Sequence, residues 1–259
     1  MKNPKVSICI PAYKQVDYLK RCLDSIKNQT HTDYEAVISD DSPNDDIKNL
    51  IAQYSDLPIV YHKNPEALGS PENWNQAMRL ASGEYIKIMH HDDWFASSSS
   101  LQQYVELLDK HPEAIFGFSA CNDIGTLNQT IPHHSANFQL KRLRKEPDIL
   151  ALGNFIGAPS VTIFRNHLNI FFDKQLIWFV DIEFYIRLLR KQPDFAYTSK
   201  ELVYIGRNEN QISNQCKNNK DLKKKEKKYF FSKLDIKYGI FYAKCYKIMR
   251  SLRKKVENV

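Results

Sequence analysis

Long apolar runs and paired cysteines are both missing from this sequence. No apolar run approaches the ~20 residues of a transmembrane helix, and residues 1–12 carry no signal-peptide pattern. The five cysteines are odd in number, scattered and never spaced as Cys-x-x-Cys. This usage predicts reduced thiols in a cytosolic protein, with Cys9 and Cys22 as small core residues.

Glycine is also scarce, with only eight in 259 residues. Neither G-x-G-x-x-G after the first strand nor G-x-x-x-x-G-K-[ST] anywhere is present, which excludes the two familiar glycine-rich phosphate sites. A bound diphosphate must then be neutralised in another way, and a metal ion held by carboxylates would serve.

Positive charge is concentrated at the C-terminal end. Residues 217–259 hold 15 Lys or Arg and four acidic residues, a net charge of +11. The whole chain carries +7, so residues 1–216 carry −4. This asymmetry predicts an acidic partner for the tail, either nucleic acid or anionic lipid.

Short apolar strands alternate with helical spacing in the first half of the chain. The predicted strands are 6–10, 34–39, 59–61, 85–89 and 115–120, and the predicted helices are 19–26, 47–54, 74–81 and 101–108. Alternation of this kind predicts an α/β fold with a mostly parallel sheet covered by helices.

The regular pattern fades between residues 122 and 155. It returns at 157–164 and continues as a helix with Ile182, Tyr185, Ile186 and Leu189 on one face. Two short strands are predicted at 195–198 and 202–205. Apolar residues then recur at steps of three and four from 230 to 252, which predicts an amphipathic helix with lysine-rich flanks.

Two carboxylates, Asp92 and Asp93, follow the apolar run 85–89. Ligands of open α/β sheets bind at the carboxyl ends of strands, and paired carboxylates are suitable ligands for Mg²⁺ or Mn²⁺. His90 and His91 precede them, but adjacent strand residues point to opposite faces, which disfavours a zinc site. His91 is expected only to help shape the neighbouring pocket.

Several ordered motifs, spread over roughly residues 4–213, resemble the family 2 glycosyltransferases. They are residues 6–14 (VSICIPAYK), 19–30 (LKRCLDSIKNQT), 34–42 (YEAVISDDS), 81–86 (ASGEYI), 157–165 (GAPSVTIFR) and 181–188 (DIEFYIRL). The resemblance implies a GT-A fold, a nucleotide-sugar donor (a UDP-sugar is expected) and inverting transfer to a hydroxyl acceptor.

The resemblance also implies residue roles in the donor site. Pro11 and Tyr13 would line the base pocket, with the Tyr13 ring packed on uracil, and Asp41 would accept a hydrogen bond from the base. Asp92 would face the ribose, and Asp93 would bind Mn²⁺ or Mg²⁺.

Further roles rest on subgroup motifs and on two departures from the family pattern. Asn75, or Asn73 beside it, would orient the aspartates or the nucleotide. Asn208 stands where family members often carry a His, so Arg207 is the possible diphosphate contact.

Asp181 matches the catalytic carboxylate of the family's Glu-Asp motif, although Val180 replaces the preceding Glu. As general base it would take the proton from the acceptor hydroxyl. A helix cap is the simpler alternative for this carboxylate, and the two roles are compatible.

The resemblance suggests how the chain is divided and where it works. Residues 1–121 would bind the donor, 122–215 would bind the acceptor and supply Asp181, and 216–259 would form the basic tail. The setting would be assembly of a bacterial surface glycan, such as capsule or lipopolysaccharide, on the inner face of the plasma membrane. The acceptor would be a glycan or a lipid-linked sugar, and the tail would contact the membrane surface.

Several alternatives remain open. The tail helix is either a membrane contact or a helix docked on the body with a solvated basic face. The chain as a whole is alternatively a nucleotide-sugar-binding module without turnover. A nucleotidyltransferase lacks support because residues 11–14 are not a glycine- and arginine-rich loop. Nucleic-acid binding is not expected, since no such module is visible and the body is acidic.

Overall fold

The apolar segments form one mixed β-sheet. The computed structural model describes residues 3–124, 129–207, 211, 214, 216 and 219–235. Within these residues the strands are β1 (Val6–Ala12), β2 (Tyr34–Asp40), β3 (Ile59–Lys63), β4 (Tyr85–Ile88), β5 (Trp94–Phe95), β6 (Phe116–Ile124), β7 (Thr130–His133), β8 (Thr162–Arg165) and β9 (Phe195–Gly206). The order across the sheet is β3-β2-β1-β4-β8-β6-β9-β5, and β7 pairs with β6.

Helices connect the strands. They are α1 (Val16–Lys27), α2 (Asp46–Ile51), α3 (Glu72–Leu80), α4 (Ser100–Asp109), α5 (Asn137–Lys145), α6 (Val180–Lys191) and α7 (Lys220–Lys233). Helix α1 buries the predicted stripe of Leu19, Cys22, Leu23 and Ile26 against the sheet. The spacing of apolar residues therefore gave the correct helix and its buried face.

One edge of the sheet gathers the carboxyl ends of most strands. Strands β1 to β4 pair in parallel, while β8 runs antiparallel to β4 and to β6. Strand β9 is parallel to β6. The ends of β1, β2, β4 and β9 consequently face the same side of the molecule, together with the start of β8. Residues that follow these strands can therefore meet there.

Strand β1 continues through Pro11, where the sequence predicted its end. The pairing of β1 with β4 stops at Cys9, opposite Ile88. The main-chain groups of Pro11 face the same side as those of Cys9, where β4 has already left the sheet. The missing N–H of proline therefore costs no ladder hydrogen bond, and β1 extends to Ala12 along β2.

Two further predictions need correction. The stretch 122–155 is more regular than its polar sequence indicated, since it contains β7 and α5. The two short strands predicted at 195–198 and 202–205 are one strand, β9, which is interrupted by a register shift opposite residues 119–121 of β6. A bulge lets the chain change pairing without leaving the sheet.

The described residues include no helix long and apolar enough to cross a membrane. Cys9 and Cys22 are fully buried and unpaired, as predicted for core residues. In the tail, α7 begins at Lys220 and buries Phe230 against the body, so this part of the predicted amphipathic helix is docked. The predicted helix beyond residue 235 lies outside the described residues.

Candidate active site

The two aspartates that follow β4 are held in different ways. Asp93 is 2% exposed, and its carboxylate accepts hydrogen bonds from the Gly206 amide at 3.0 Å and from the Ser160 hydroxyl. Asp92 is partly exposed, and its carboxylate accepts one from the Gln211 side chain at 3.0 Å. Burial, together with the charge of Asp92, raises the pKa of Asp93 well above its usual range.

Gly206 is required where β9 passes the aspartates. A Cβ atom at this position would lie 2.2 Å from the carbonyl oxygen of Asp92. Only glycine permits that close approach, which brings the Gly206 amide to Asp93. The end of β9 therefore fixes the aspartate loop from a point 113 residues further along the chain.

A lysine lies close to Asp93 in the interior of the sheet. Lys87 is fully buried in β4, and its Nζ donates hydrogen bonds to the carbonyl oxygens of Ile88 and Ser160. Burial lowers the pKa of Lys87 to about 7, while the nearby Asp93 carboxyl opposes that change. Lys87 thus places a buried amine below the aspartates, a feature that sequence analysis did not predict.

His90 joins the two aspartates. One ring nitrogen of His90 and one carboxylate oxygen from each of Asp92 and Asp93 lie within 4.8 Å of one another. The His90 ring packs against Trp74 at 4.6 Å between centroids. Its Nε2 is buried and has no hydrogen-bond partner in the part of the chain that the structure describes, and burial lowers the pKa of His90 to about 4. The imidazole is therefore neutral, with a lone pair available for a ligand.

These three side chains fit a divalent metal ion. Two carboxylates supply the hard oxygen ligands that Mn²⁺ and Mg²⁺ prefer, and a neutral imidazole is a further ligand for a transition metal. The sequence gave the aspartates but not His90. The strand rule that separates His90 from His91 places residues two apart on the same face, so it would have allowed His90 to lie beside Asp92.

His91 contacts the end of β1 and the residue that precedes α1. Its Nδ1 lies 3.2 Å from the carbonyl oxygen of Pro11, and its Nε2 lies 2.8 Å from the Gln15 side chain. His91 thereby ties the aspartate loop to the end of β1. Tyr13, in the loop that follows, is 47% exposed, so its ring is accessible for stacking.

Asp41 is held in a cradle at the end of β2. Its carboxylate accepts hydrogen bonds from the backbone amides of Leu68 and Gly69, at 3.0 and 2.8 Å, and from the Asn64 side chain at 2.7 Å. Gly69 has a φ of +70°, which favours glycine at this turn. Asp41 is 5% exposed, so these bonds fix its orientation within the loop.

Asn73 and Asn75 act within the protein. Asn75 pairs with both backbone groups of Phe172, at 2.9 Å to its carbonyl oxygen and 2.8 Å from its amide. Asn73 donates to the carbonyl oxygen of Ala12 and accepts from Asn64. Asn73 therefore supports the Asp41 cradle, while Asn75 fixes the segment that precedes α6. The donor role of Asn75 stays a prediction.

Asp181 lies in the first turn of α6. Its carboxylate accepts hydrogen bonds from the Asn154 side chain at 2.7 Å and from the Ile182 amide at 2.8 Å. Burial raises the pKa of Asp181 to about 6, and these bonds only partly offset it. Asn154 also donates to the carbonyl oxygen of Gly157, and Ser160, three residues on, accepts from the His90 amide. One short segment therefore links Asp181 to the aspartate loop.

Helix α7 fixes the loop that leads into α6. The buried Glu226 carboxylate accepts three backbone hydrogen bonds, from Ile177, Trp178 and Phe179, at 2.8 to 3.2 Å. Lys233 of the same helix pairs with Asp173 and Glu183. These contacts were not predicted, because the spacing of the tail gives a helix face but not what it packs on.

Arg187, in the 181–188 motif, and Arg207 both have partners within the protein. Arg187 pairs with Glu183 at 2.6 Å and donates to the carbonyl oxygen of Phe171, so it supports the loop before α6. Arg207, directly after β9, pairs with Asp123 of β6. Its diphosphate contact stays a prediction, and Asn208 lies outside the described residues.

The chain belongs to glycosyl transferase family 2. The model described as "Glycosyl transferase family 2" matches residues 7–177, about two thirds of the chain. This match confirms the family that the sequence motifs predicted. It includes β1, the Asp41 cradle and the aspartate loop, but it ends before Asp181.

Curated relatives support the same family. A poly(ribitol-phosphate) beta-glucosyltransferase of Bacillus spizizenii is 34% identical over 105 residues, 39% of this chain and 17% of the relative. A GalNAc(5)-diNAcBac-PP-undecaprenol beta-1,3-glucosyltransferase of Campylobacter jejuni is 29% identical over 149 residues, 56% of this chain and 46% of the relative. The chain thus spans less than half the length of each.

Solved structures support the GT-A fold. Staphylococcus aureus TarS 1–349 in complex with UDP-GlcNAc has a TM-score of 0.66 at 18% identity, covering 81% of this chain and 60% of TarS 1–349. A mannosyltransferase of Pyrobaculum calidifontis, in complex with GDP-Man and Mn²⁺, has a TM-score of 0.56 at 17% identity, with 80% and 57% covered. At these identities the likeness shows the fold alone, and it confirms the predicted fold class.

Proposed function

We propose that this protein is a metal-dependent, inverting glycosyltransferase that moves a sugar from a UDP-sugar to a hydroxyl group of a glycan or lipid-linked acceptor. Family membership supports the class of enzyme. The choice of UDP draws on TarS, whose structure contains UDP-GlcNAc. The choice of acceptor draws on the Campylobacter relative, whose name contains an undecaprenol-linked glycan.

The observation that carries this proposal is the environment of Asp181. Its carboxylate is partly buried at the start of α6, and this burial raises the pKa of Asp181 to about 6. Such a carboxyl is ionised at neutral pH, yet it binds a proton more readily than an exposed Asp. Asp181 takes the proton from the acceptor hydroxyl while that oxygen attacks the anomeric carbon. The C–O bond to UDP breaks in the same displacement, so the configuration inverts and UDP leaves with the electron pair.

The donor is bound at the carboxyl ends of β1, β2 and β4. Tyr13 stacks on the uracil and Asp41 accepts a hydrogen bond from it, while Pro11 and Asp92 line the base and ribose positions. Asp93 is the metal ligand in this assignment. Arg207 directly follows Gly206, whose amide bonds Asp93, and its guanidinium binds the diphosphate. A bound Mn²⁺ or Mg²⁺ supplies the positive charge that stabilises the leaving diphosphate.

Donor binding, acceptor binding and membrane contact are assigned to three parts of the chain. Residues 1–121 bind the donor, and residues 122–215 bind the acceptor and supply Asp181. The basic tail, residues 216–259, attracts the chain to the anionic inner face of the plasma membrane, where a lipid-linked acceptor would be found. The enzyme would act in the assembly of a bacterial surface glycan.

Calorimetric titration of UDP, with and without Mn²⁺, tests the donor site. We expect metal-dependent binding by the wild type and its loss in Asp93→Asn, because the amide supplies no negative charge to the metal. The Asp181→Asn variant is the matched control, since it removes a carboxylate outside the nucleotide contacts and should bind UDP like the wild type.

A measurement of turnover distinguishes an enzyme from a module that only binds the nucleotide-sugar. Release of UDP from a UDP-sugar in the presence of acceptor membranes should be abolished in Asp181→Asn while UDP affinity is kept. If the wild type binds no UDP with or without metal, the donor assignment is wrong. If Asp181→Asn retains full turnover, Asp181 is not the base.

A further inference from the structure

We propose that His90 is a nitrogen ligand of the divalent metal ion and makes this site prefer Mn²⁺ to Mg²⁺. The inference rests on the proposed function, because it concerns the same donor site. It departs from the sequence-based assignment, in which Asp93 binds the metal ion and Asp92 faces the ribose.

The geometry singles out His90 from the other histidines near the site. Its ring nitrogen shares a cluster with oxygens of Asp92 and Asp93, all within 4.8 Å, a spacing that one metal ion can bridge. The buried Nε2 has no hydrogen-bond partner among the described residues. A buried polar nitrogen without a partner is costly, and a metal ion bound to Nε2 would remove that cost.

The surroundings hold the ring of His90 in place. The His90 amide donates to the Ser160 hydroxyl at 2.9 Å, and that hydroxyl also bonds Asp93. Trp74 packs against the ring on one side, and Trp74 is itself in edge contact with Phe172. A side chain fixed by backbone bonding and ring packing loses little freedom when it binds a metal.

Ligand chemistry gives the expected selectivity. Mg²⁺ prefers an all-oxygen, octahedral environment and keeps several waters. Imidazole is a softer ligand that favours transition metals over Mg²⁺. A site with two carboxylates and one imidazole should therefore gain affinity for Mn²⁺ from His90 and gain little for Mg²⁺.

Pulsed electron paramagnetic resonance on the full chain with Mn²⁺ and UDP tests the bond directly. A directly bound imidazole gives ¹⁴N modulation of the Mn²⁺ echo, and uniform ¹⁵N labelling of the protein should convert it to ¹⁵N modulation. That conversion separates a protein nitrogen from the uracil nitrogens. The wild type should show it, and His90→Phe, which keeps a ring beside Trp74, should not.

The neighbouring histidine is the matched control. His91→Gln removes an imidazole whose nitrogens face Pro11 and Gln15, so the nitrogen signal should persist. By calorimetry, His90→Phe should weaken Mn²⁺ binding by about tenfold or more and Mg²⁺ binding by much less. His90→Asp, which replaces nitrogen by oxygen, should move the preference towards Mg²⁺.

Each outcome decides the inference. Nitrogen modulation that is absent in the wild type, or that survives in His90→Phe, overturns the role of His90. If UDP still binds in a metal-dependent way in that case, the proposed function stands without it. If neither metal nor UDP binds the wild type, the proposed function fails and this inference with it.

Discussion

At the scale of single residues, the ionisation of Asp181 should control the pH dependence of the reaction. A general base works only in its ionised form, and burial raises the pKa of Asp181 to about 6. We expect the turnover number to fall below about pH 6, with a slope of one proton, in initial rates of UDP release. An exposed aspartate would move this limb towards the ordinary pKa of 3.8.

The raised pKa of Asp181 should also make the folded protein less stable as pH rises. Because the folded pKa lies above the unfolded one, Asp181 binds its proton more tightly in the folded protein. Its contribution to stability is present below pH 3.8 and is lost as pH rises through about 6. Asp181→Asn should remove this dependence, so the melting temperature of the variant should exceed that of the wild type more at pH 7 than at pH 5. Equal differences at both pH values would contradict the buried environment.

At the scale of elements, helix α7 should stabilise the loop that leads to Asp181, the proposed general base. Glu226 receives three backbone hydrogen bonds from residues 177–179, just before Asp181. Glu226→Gln keeps the length of the side chain but turns an amide towards these N–H groups. Loss of hydrogen bonds from these N–H groups should lower the free energy of unfolding by about 2 kcal/mol, measured by denaturant titration.

Activity should respond as well, because Phe179 caps α6 and Asp181 follows two residues later. The turnover number should fall by about tenfold or more, with a much smaller change in UDP affinity. Lys225→Gln is the control, since it changes the exposed neighbouring position on α7. If both variants behave like the wild type, α7 does not position this loop.

At the scale of the whole molecule, the uneven charge predicts binding to anionic membranes. Residues 217–259 carry +11, whereas the rest of the chain carries −4. Replacing Arg253, Lys254 and Lys255 by Gln removes three charges, each worth about 1 kcal/mol at an anionic surface. Partitioning into phosphatidylglycerol vesicles should fall by about 100-fold at low salt, measured by co-sedimentation.

Controls separate the membrane from the active site. Neutral phosphatidylcholine vesicles should bind wild type and variant equally weakly, and UDP affinity should be the same in both proteins. Unchanged partitioning into anionic vesicles would assign the basic tail a different partner or none. Binding to duplex DNA with a steep salt dependence would favour the nucleic-acid alternative.

Most strands of the first half of the chain, the buried faces of several helices and the family could be predicted from the sequence alone. Strands of β-branched residues and helices with three-four spacing carry their periods locally, so α1 and β4 could be read from it. It also placed Asp41 and Asp92 within a few residues of strand ends, because each lies shortly after an apolar run. The predictions were wrong where the periodicity of apolar residues is weak, which is the case in β7, α5 and the bulged β9.

Contacts between side chains that are distant in sequence could not be predicted from the sequence, because they depend on how the elements pack. Gly206 reaches Asp93 across 113 residues, and Glu226 reaches Trp178 across 48. His90 belongs to the aspartate cluster because the turn after β4 brings its ring nitrogen back towards Asp92 and Asp93, which strand alternation does not describe. Contacts of this kind depend on how distant segments pack, and no local period in the sequence encodes them.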